Sequence, residues 1–311
     1  MTVPQLDPGR IHEVTASDAS LRRFLHGLPP VDAAGVEERA AQATATILAD
    51  PALLDRVIRV LDLTTLEATD TPEAVRALCD RARHPDPEDA SVPHVAAVCV
   101  YPDLVGAARQ FLAGTGVRAA AVAGAFPSGR AMPTIKLAEI RQAVTDGAQE
   151  IDTVLDRGAF LSGRYLEAYE QLAAARHACA PADPGIPAVT LKVILETGEL
   201  GMSEVVCRAA WLAMLAGADF VKTSTGKIPA AATPPMTLVM MEAARAFHAW
   251  TGRPVGVKAA GGIRTTGQAL VYLRLAEETA GPGGTGPGVF RLGASSLLGD
   301  LLSARRRSGA S

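Results

Sequence analysis

Eight short apolar runs alternate with longer, Ala-rich amphipathic segments along this chain. The runs are VIRVLDL (57–63), HVAAVCV (94–100), RAAAVAG (118–124), EIDTVL (150–155), AVTLKVIL (188–195), DFVK (219–222), PVGVKA (254–259) and VFRLG (289–293). Each is almost continuously apolar instead of alternating, the pattern of a parallel strand covered on both faces. The segments between them, 72–84, 102–115, 134–147, 163–180, 203–216, 234–251 and 266–280, repeat apolar positions at helical spacing, and 294–304 closes the series. Some open on helix-start signals, such as Thr71-Pro72-Glu73 and Ser203 before Glu204 and Val205.

Strict βα alternation argues for a parallel sheet, and eight units over roughly 250 residues argue for a closed barrel, the TIM (β/α)8 barrel of an α/β protein. An open doubly wound sheet is the competitor. Its Gly-rich first turn is missing, because the first run leads into DLTTLEAT, which has no glycine. Residues 1–56 carry no strand pattern, and 33–50 and 51–58 read as helical, so an N-terminal helical extension covering the barrel bottom is expected before a catalytic barrel at 57–304. The Pro/Gly-rich stretches 84–94, 179–188 and 280–289 each follow a helix and precede a strand, which assigns them to the N-terminal face, away from any chemistry.

Composition narrows the function classes. The chain has 311 residues, 48% of them hydrophobic and only 4% aromatic, so aliphatic and alanine packing fills a large core. Thirty Lys+Arg against 33 Asp+Glu leave a net charge of −3, which offers no field for nucleic acid or an anionic membrane. Arg305-Arg306-Arg307 is the one basic cluster, and it reads as part of a disordered tail at 305–311. The four cysteines, Cys79, Cys99, Cys179 and Cys207, have no C-x-x-C spacing, and no apolar leader or run of about 18 apolar residues is present. A cytoplasmic protein with reduced thiols is expected.

Polar groups gather where the runs end. Asp62 closes the first, Cys99 lies in the second, Asp152 in the fourth, Lys192 in the fifth, Lys222 ends the sixth and Lys258 the seventh. Each has an ordinary reading: Asp62 as a cap, Cys99 as a small buried hydrophobe, Asp152 as a partner of Arg157, Lys192 as a snorkelling side chain. Together they suit a barrel lumen, where buried charges must pair with one another. Two ammoniums on adjacent strands disfavour each other's charge, and burial acts in the same direction. A lysine depressed in this way attacks carbonyls to form a Schiff base. A second constellation, Gly226-Lys227, Gly261-Gly262 and Ser295-Ser296, follows the sixth, seventh and eighth runs, where barrels commonly hold a phosphate. Of the two lysines in ADFVKTSTGKIP (218–229), Lys222 therefore reads as the nucleophile and Lys227 as the phosphate contact, with a plain surface charge as the alternative for Lys227.

The segments LDLTTL (61–66), AVCVYP (97–102), FPSG (126–129), EIDTVL (150–155), LKVILETGEL (191–200), ADFVKTSTGK (218–227), VGVKAAGGIR (255–264) and RLGASSLL (291–298) resemble the deoxyribose-phosphate aldolase family, in its order and over most of the chain. The resemblance implies a class I aldolase needing no metal or cofactor, which reversibly cleaves 2-deoxy-D-ribose 5-phosphate to D-glyceraldehyde 3-phosphate and acetaldehyde in deoxyribonucleoside catabolism. It implies small phosphorylated-sugar and aldehyde partners and a homo-oligomer, a dimer being one form. By motif position it makes Lys222 the Schiff-base lysine, Lys258 the lysine that perturbs it, Asp152 the acid/base working through water, and Asp62 a support of that network. It places Cys99 beside the acceptor pocket, and Gly226, Lys227, Gly261, Gly262, Ser295 and Ser296 around the phosphate. Three features depart from the family pattern: the tail ARRRSGAS has no tyrosine, the seventh run reads KAAGG where many members have KPAGG, and the extension is longer than in the shortest members. A metal-dependent aldolase or epimerase is disfavoured, because none of the six histidines sits at a run's C-terminal end beside another ligand. A binding protein without turnover would not need the Lys222 and Lys258 pair.

Overall fold

The computed structural model describes residues 5–44, 50–180, 185, 187–229, 231–281 and 284–309. Eight parallel strands close into a barrel in sequence order: β1 (Leu61–Thr64), β2 (Ala97–Val100), β3 (Arg118–Val122), β4 (Glu150–Val154), β5 (Thr190–Ile194), β6 (Phe220–Lys222), β7 (Gly256–Ala260) and β8 (Phe290–Ala294), with β8 pairing back to β1. The expected TIM barrel is therefore the fold.

Helices α1 (Pro8–Thr15), α2 (Asp18–His26), α3 (Ala33–Ala43) and α4 (Pro51–Arg59) precede β1. Each starts on a local signal: the side chains of Asp7, Ser17, Asp32 and Asp50 accept a backbone N–H of the first turn. The outer ring follows: α5 (Pro72–Arg83), α6 (Val105–Phe111), α7 (Pro133–Thr145), α8 (Arg157–Leu161), α9 (Tyr165–Ala178), α10 (Thr197–Leu200), α11 (Ser203–Leu215), α12 (Pro234–Thr251), α13 (Thr266–Ala280) and α14 (Leu297–Gly309). Thr71 caps α5 as the sequence suggests, whereas Ser203 lies inside α11 and Met202 holds the cap position without a side-chain hydrogen bond.

Three expectations are corrected. The run at 57–63 is split: 57–59 end α4, because Val57 and Ile58 bury on a helical face with Leu54, and the strand starts only at Leu61. Among its described residues, the extension packs on the helix ring and not over the barrel bottom. Helix α2 packs on α9 and α11, α3 on α12 and α13, and α4 on α14. The N-terminal opening is lined by residues such as Arg59, His94, Arg118 and Arg291, with none from α1 to α3. The tail expected to be disordered is helical as far as Gly309. Arg305 reaches Asp55 and Asp89, and Arg306 reaches Asp86 (2.7, 2.6 and 2.9 Å), so the basic cluster clamps α14 to α4 and to the loop before β2. Short helices α8 and α10, after β4 and β5, were not anticipated. Parts of the segments 33–50, 179–188, 280–289 and 305–311 (45–49, 181–184, 186, 282–283 and 310–311) lie outside the described residues.

Ala-rich packing closes the core. Fully buried Val, Leu, Ile and Ala side chains from strands and helices form one continuous cluster between the sheet and the helix ring. The strand faces that point the other way, into the lumen, carry a different set of residues, and these build the site.

Candidate active site

Alternation along a strand sends successive side chains to opposite faces of the sheet. In β4, Glu150 and Asp152 share one face, and pairing sets Asp152 opposite Lys192 of β5. In β6 and β7, Lys222 lies opposite Lys258, which in turn lies opposite Arg291 of β8. The register therefore sets three cations side by side on β6, β7 and β8, facing the carboxylates of β1 and β4, and Asp62, Glu150, Asp152, Lys192, Lys222, Lys258 and Arg291 are all buried in the lumen.

Their contacts form a closed ring. Arg291 binds Glu150 (2.9 Å) and Asp62 (2.6 Å), and Glu150 binds Lys192 (2.7 Å). Lys192 binds Asp152 Oδ1 (2.6 Å), and Lys258 joins Asp152 Oδ2 (2.9 Å) to Asp62 Oδ2 (2.6 Å). The ring itself holds three cations and three anions, so its six members balance without Lys222; Arg118, partly exposed at the N-terminal opening, also pairs with Glu150 (2.7 Å). Lys222 hangs from Asp152 Oδ2 at 2.8 Å as the seventh charge. Its proton is the one the lumen can most readily give up.

The ionisation of each group follows from this arrangement. Burial lowers the Lys222 pKa, and neighbouring Lys258 adds to that; Asp152 opposes both without reversing them. Burial also disfavours the charge on Lys258, but Asp152 and Asp62 outweigh it and the pKa is raised. Lys192 is likewise raised, with Asp152 and Glu150 overcoming burial. Burial pushes the Asp152 carboxyl up, yet Lys192, Lys222 and Lys258 hold it well below the usual carboxylate range. Asp62 is held low in the same way by Lys258 and Arg291. The two lysines singled out together in the sequence thus separate: Lys222 is destabilised as a cation and Lys258 is stabilised.

Room for the Lys258 stem comes from β8. A Cβ on Gly293 would stand 3.0 Å from Lys258 Cε and 2.9 Å from Ala260 Cβ, so only glycine lets the chain pass. Above the ring, at the C-terminal face, lies a cavity of about 180 Å³ with the side chains of Lys222 and Lys258 in its wall. Its other walls include Gly226, Lys227, Gly261, Gly262, Ser295 and Ser296, which the structure brings together from three separate loops. Gly226, Gly261 and Gly262 have φ of 77°, 90° and 79°, a region that L side chains avoid. Ser295 and Ser296 are exposed and immediately precede α14, so the helix's first N–H groups open beside them. The β6 loop is anchored from β5: buried Glu196 accepts from Thr225 Oγ1 at 2.6 Å and from Thr225 N.

Asp62, Asp152 and Cys99 stand behind this cavity and are not among its lining residues. Asp62 is no cap; it is a fully buried lumen carboxylate. Asp152 has no contact with Arg157, which instead pairs with Glu199. Cys99 packs with Leu66, Ala97, Ala120 and Val122, and burial pushes its thiol up to about 11, with Asp152 adding to the shift. Sequence reading passed over Glu150 and Arg291, which close the ring, and left Lys192 unassigned. Their signal was a charged residue within an apolar run. It also missed Glu67 and Arg264 at the cavity wall; both stand next to motif residues, in TTLE and GGIR. Among the described residues no group of three or more His, Cys, Asp or Glu is placed to hold a metal ion, and no helix is long and apolar enough to cross a membrane.

Comparison with known proteins agrees with this geometry. Residues 56–298 match the model of the DeoC/LacD family aldolases. The chain is 42% identical to the deoxyribose-phosphate aldolase of Homo sapiens over 260 residues, 80% of each protein. Among solved structures it is similar to QR15, an aldolase, with 28% identity and a TM-score of 0.65 over 82% of this chain and 98% of that one. It shares its fold with the deoxyribose phosphate aldolase of Aeropyrum pernix, described as having a unique tetrameric structure (24% identity, TM-score 0.62, 88% and 98% coverage). A closed parallel barrel, a lumen that destabilises the charge of one lysine, and a family match across the whole barrel lead to one conclusion: this chain belongs to the DeoC/LacD family of aldolases, carbon–carbon lyases.

Proposed function

We propose that this aldolase reversibly cleaves 2-deoxy-D-ribose 5-phosphate to D-glyceraldehyde 3-phosphate and acetaldehyde through a Schiff base on Lys222, as a step in deoxyribonucleoside catabolism. The observation that carries the reading is the position of Lys222. It is the one lysine of the lumen with a lowered pKa, and it borders a cavity whose far wall suits an anion.

The chemistry follows from the ring. Lys222 passes its proton to the Asp152 side and, as a neutral amine, adds to the aldehyde carbon of the open-chain sugar. The carbinolamine hydroxyl takes that proton back and leaves as water, which restores the Asp152 carboxylate and gives an iminium that draws electrons from the bond to be cleaved. Asp152, through a water, takes the proton of the hydroxyl at the departing carbon. The C–C bond breaks to an aldehyde and an enamine, and the enamine is protonated and hydrolysed to acetaldehyde and free Lys222. Proton transfer of this kind is typically worth roughly 10²–10⁴-fold. Lys258, locked between Asp152 and Asp62, keeps positive charge beside the nucleophile throughout. Gly226, Lys227, Gly261, Gly262, Ser295 and Ser296 hold the phosphate and so fix the reacting carbon over Lys222. A homo-oligomer, dimeric or larger, completes the proposal; the tetrameric Aeropyrum pernix relative supports assembly of this kind.

Borohydride reduction in the presence of acetaldehyde, read by intact mass and peptide mapping, tests the reading. A single reduced ethyl adduct on Lys222, absent from Lys222→Met, is expected. An adduct on Lys258 or Lys227 instead, or none with acetaldehyde in excess, refutes the assignment.

A further inference from the structure

Lys227 already has an anion. Its ammonium stands 3.1 Å from Glu67 Oε1, across the cavity mouth from the loop after β1. That loop is held in place: Asp70 accepts from Thr65 Oγ1 at 2.7 Å and from the Glu67 backbone N–H at 2.9 Å. The backbone carrying Glu67 is thereby fixed at the rim, while its side chain is 71% exposed and free to turn. Glu67 is also the sole carboxylate among the residues that line the cavity. Every other charged group there, Lys222, Lys227, Lys258 and Arg264, is cationic.

We infer that Glu67 is a built-in, displaceable counter-ion of Lys227 that sets how strongly the site prefers phosphorylated over unphosphorylated substrates. This rests on the reading of the Lys227 loops as a phosphate cradle. A phosphate reaching Lys227 must part an existing ion pair and then lie beside a carboxylate. The first cost is small because exposed pairs are weak; the second persists as long as Glu67 stays charged nearby. A substrate ending in a neutral hydroxyl faces no such repulsion. Glu67 therefore narrows the gap between the two substrate classes.

The test titrates inorganic phosphate calorimetrically into the wild type, Glu67→Gln, Lys227→Met and the double variant. It also compares kcat/KM for 2-deoxyribose 5-phosphate and 2-deoxyribose. Glu67→Gln is expected to tighten phosphate binding roughly three- to tenfold, and to raise the phosphorylated-to-unphosphorylated ratio of kcat/KM by a similar factor. In the Lys227→Met background the gain is smaller, because no ion pair has to be parted and only the repulsion by Glu67 remains. Unchanged or weaker phosphate binding in Glu67→Gln overturns the inference, as does an equal gain with and without Lys227. Phosphate binding by none of the four proteins removes the cradle and the inference together. A phosphate shift as expected, with no turnover and no reducible adduct, upholds the counter-ion and removes only the aldol substrate assigned above.

Discussion

The lumen ring and the cavity mouth solve opposite problems with similar residue types. In the ring and on the Lys222 that hangs from it, seven charged side chains are buried, and each is held by partners at 2.6–2.9 Å that also come from strands. At the mouth, Lys227 and Arg264 stand on loops, and the Lys227 pair with Glu67 is open to solvent. Burial makes the ring's charges strongly dependent on one another, so a single surplus proton can be assigned to Lys222. Exposure makes the mouth's charges nearly independent and exchangeable, which suits a site that must release its anion. A nucleophile needs the first environment, and a phosphate contact needs the second.

Breaking the ring at its centre has the largest expected effect. Asp152→Asn removes the carboxylate shared by three ammoniums. Leaving buried charge unpaired in this way costs about 3–5 kcal/mol of stability. Turnover falls on the order of 10²–10⁴-fold with it. Denaturant titration and kcat measured on the same preparation check both.

Lys192→Met sharpens the comparison, because Lys192 touches the ring and not the cavity. Removing one cation leaves the ring short of positive charge, so Asp152 has more attraction to spare for the Lys222 proton. The Lys222 pKa should rise. The acid limb of the kcat/KM profile, which reports loss of that proton, then moves to higher pH, with a stability loss again of about 3–5 kcal/mol. An unmoved acid limb in a folded variant would show that the ring does not tune the nucleophile.

At the mouth, Lys227→Met should raise KM for the phosphorylated substrate by about 10–100-fold, the range of a lost charge-assisted hydrogen bond. The kcat should change far less and the acid limb not at all. The smallest effect is expected at Cys99. Its buried thiol, with a pKa of about 11, should resist iodoacetamide in the native protein near neutral pH. Cys99→Ala should therefore keep the wild-type rate of activity loss under acetaldehyde; protection by that substitution would show that the thiol is reached.

How much was legible in the sequence depended on whether the signal was local. Barrel strands appear as short apolar runs because both of their faces are covered, and charged residues inside those runs advertised a lumen. That made Lys222, Lys258, Asp152 and Asp62 visible as candidates, and the resemblance of whole motifs to the deoxyribose-phosphate aldolases attached roles to them. Residues 57–59 misled because Val and Ile are equally apolar on a buried helix face. The Arg305–Arg307 cluster misled because its partners Asp55, Asp86 and Asp89 are remote in sequence.

The amino-acid order by itself therefore determined the alternation of strands and helices, the eightfold count and four of the charged lumen residues, Lys222, Lys258, Asp152 and Asp62, all set by short-range periodicity and by the cost of burying charge. Tertiary structure alone decided which charge meets which. Strand register set Lys192 against Asp152, and ring closure through Arg291 and Glu150 left Lys222 as the surplus cation. It also laid Glu67 across the mouth from Lys227. Pairings of this kind join positions far apart in the chain, and the energies that separate one lysine from the next depend on distances of a few ångströms that no spacing in the sequence records.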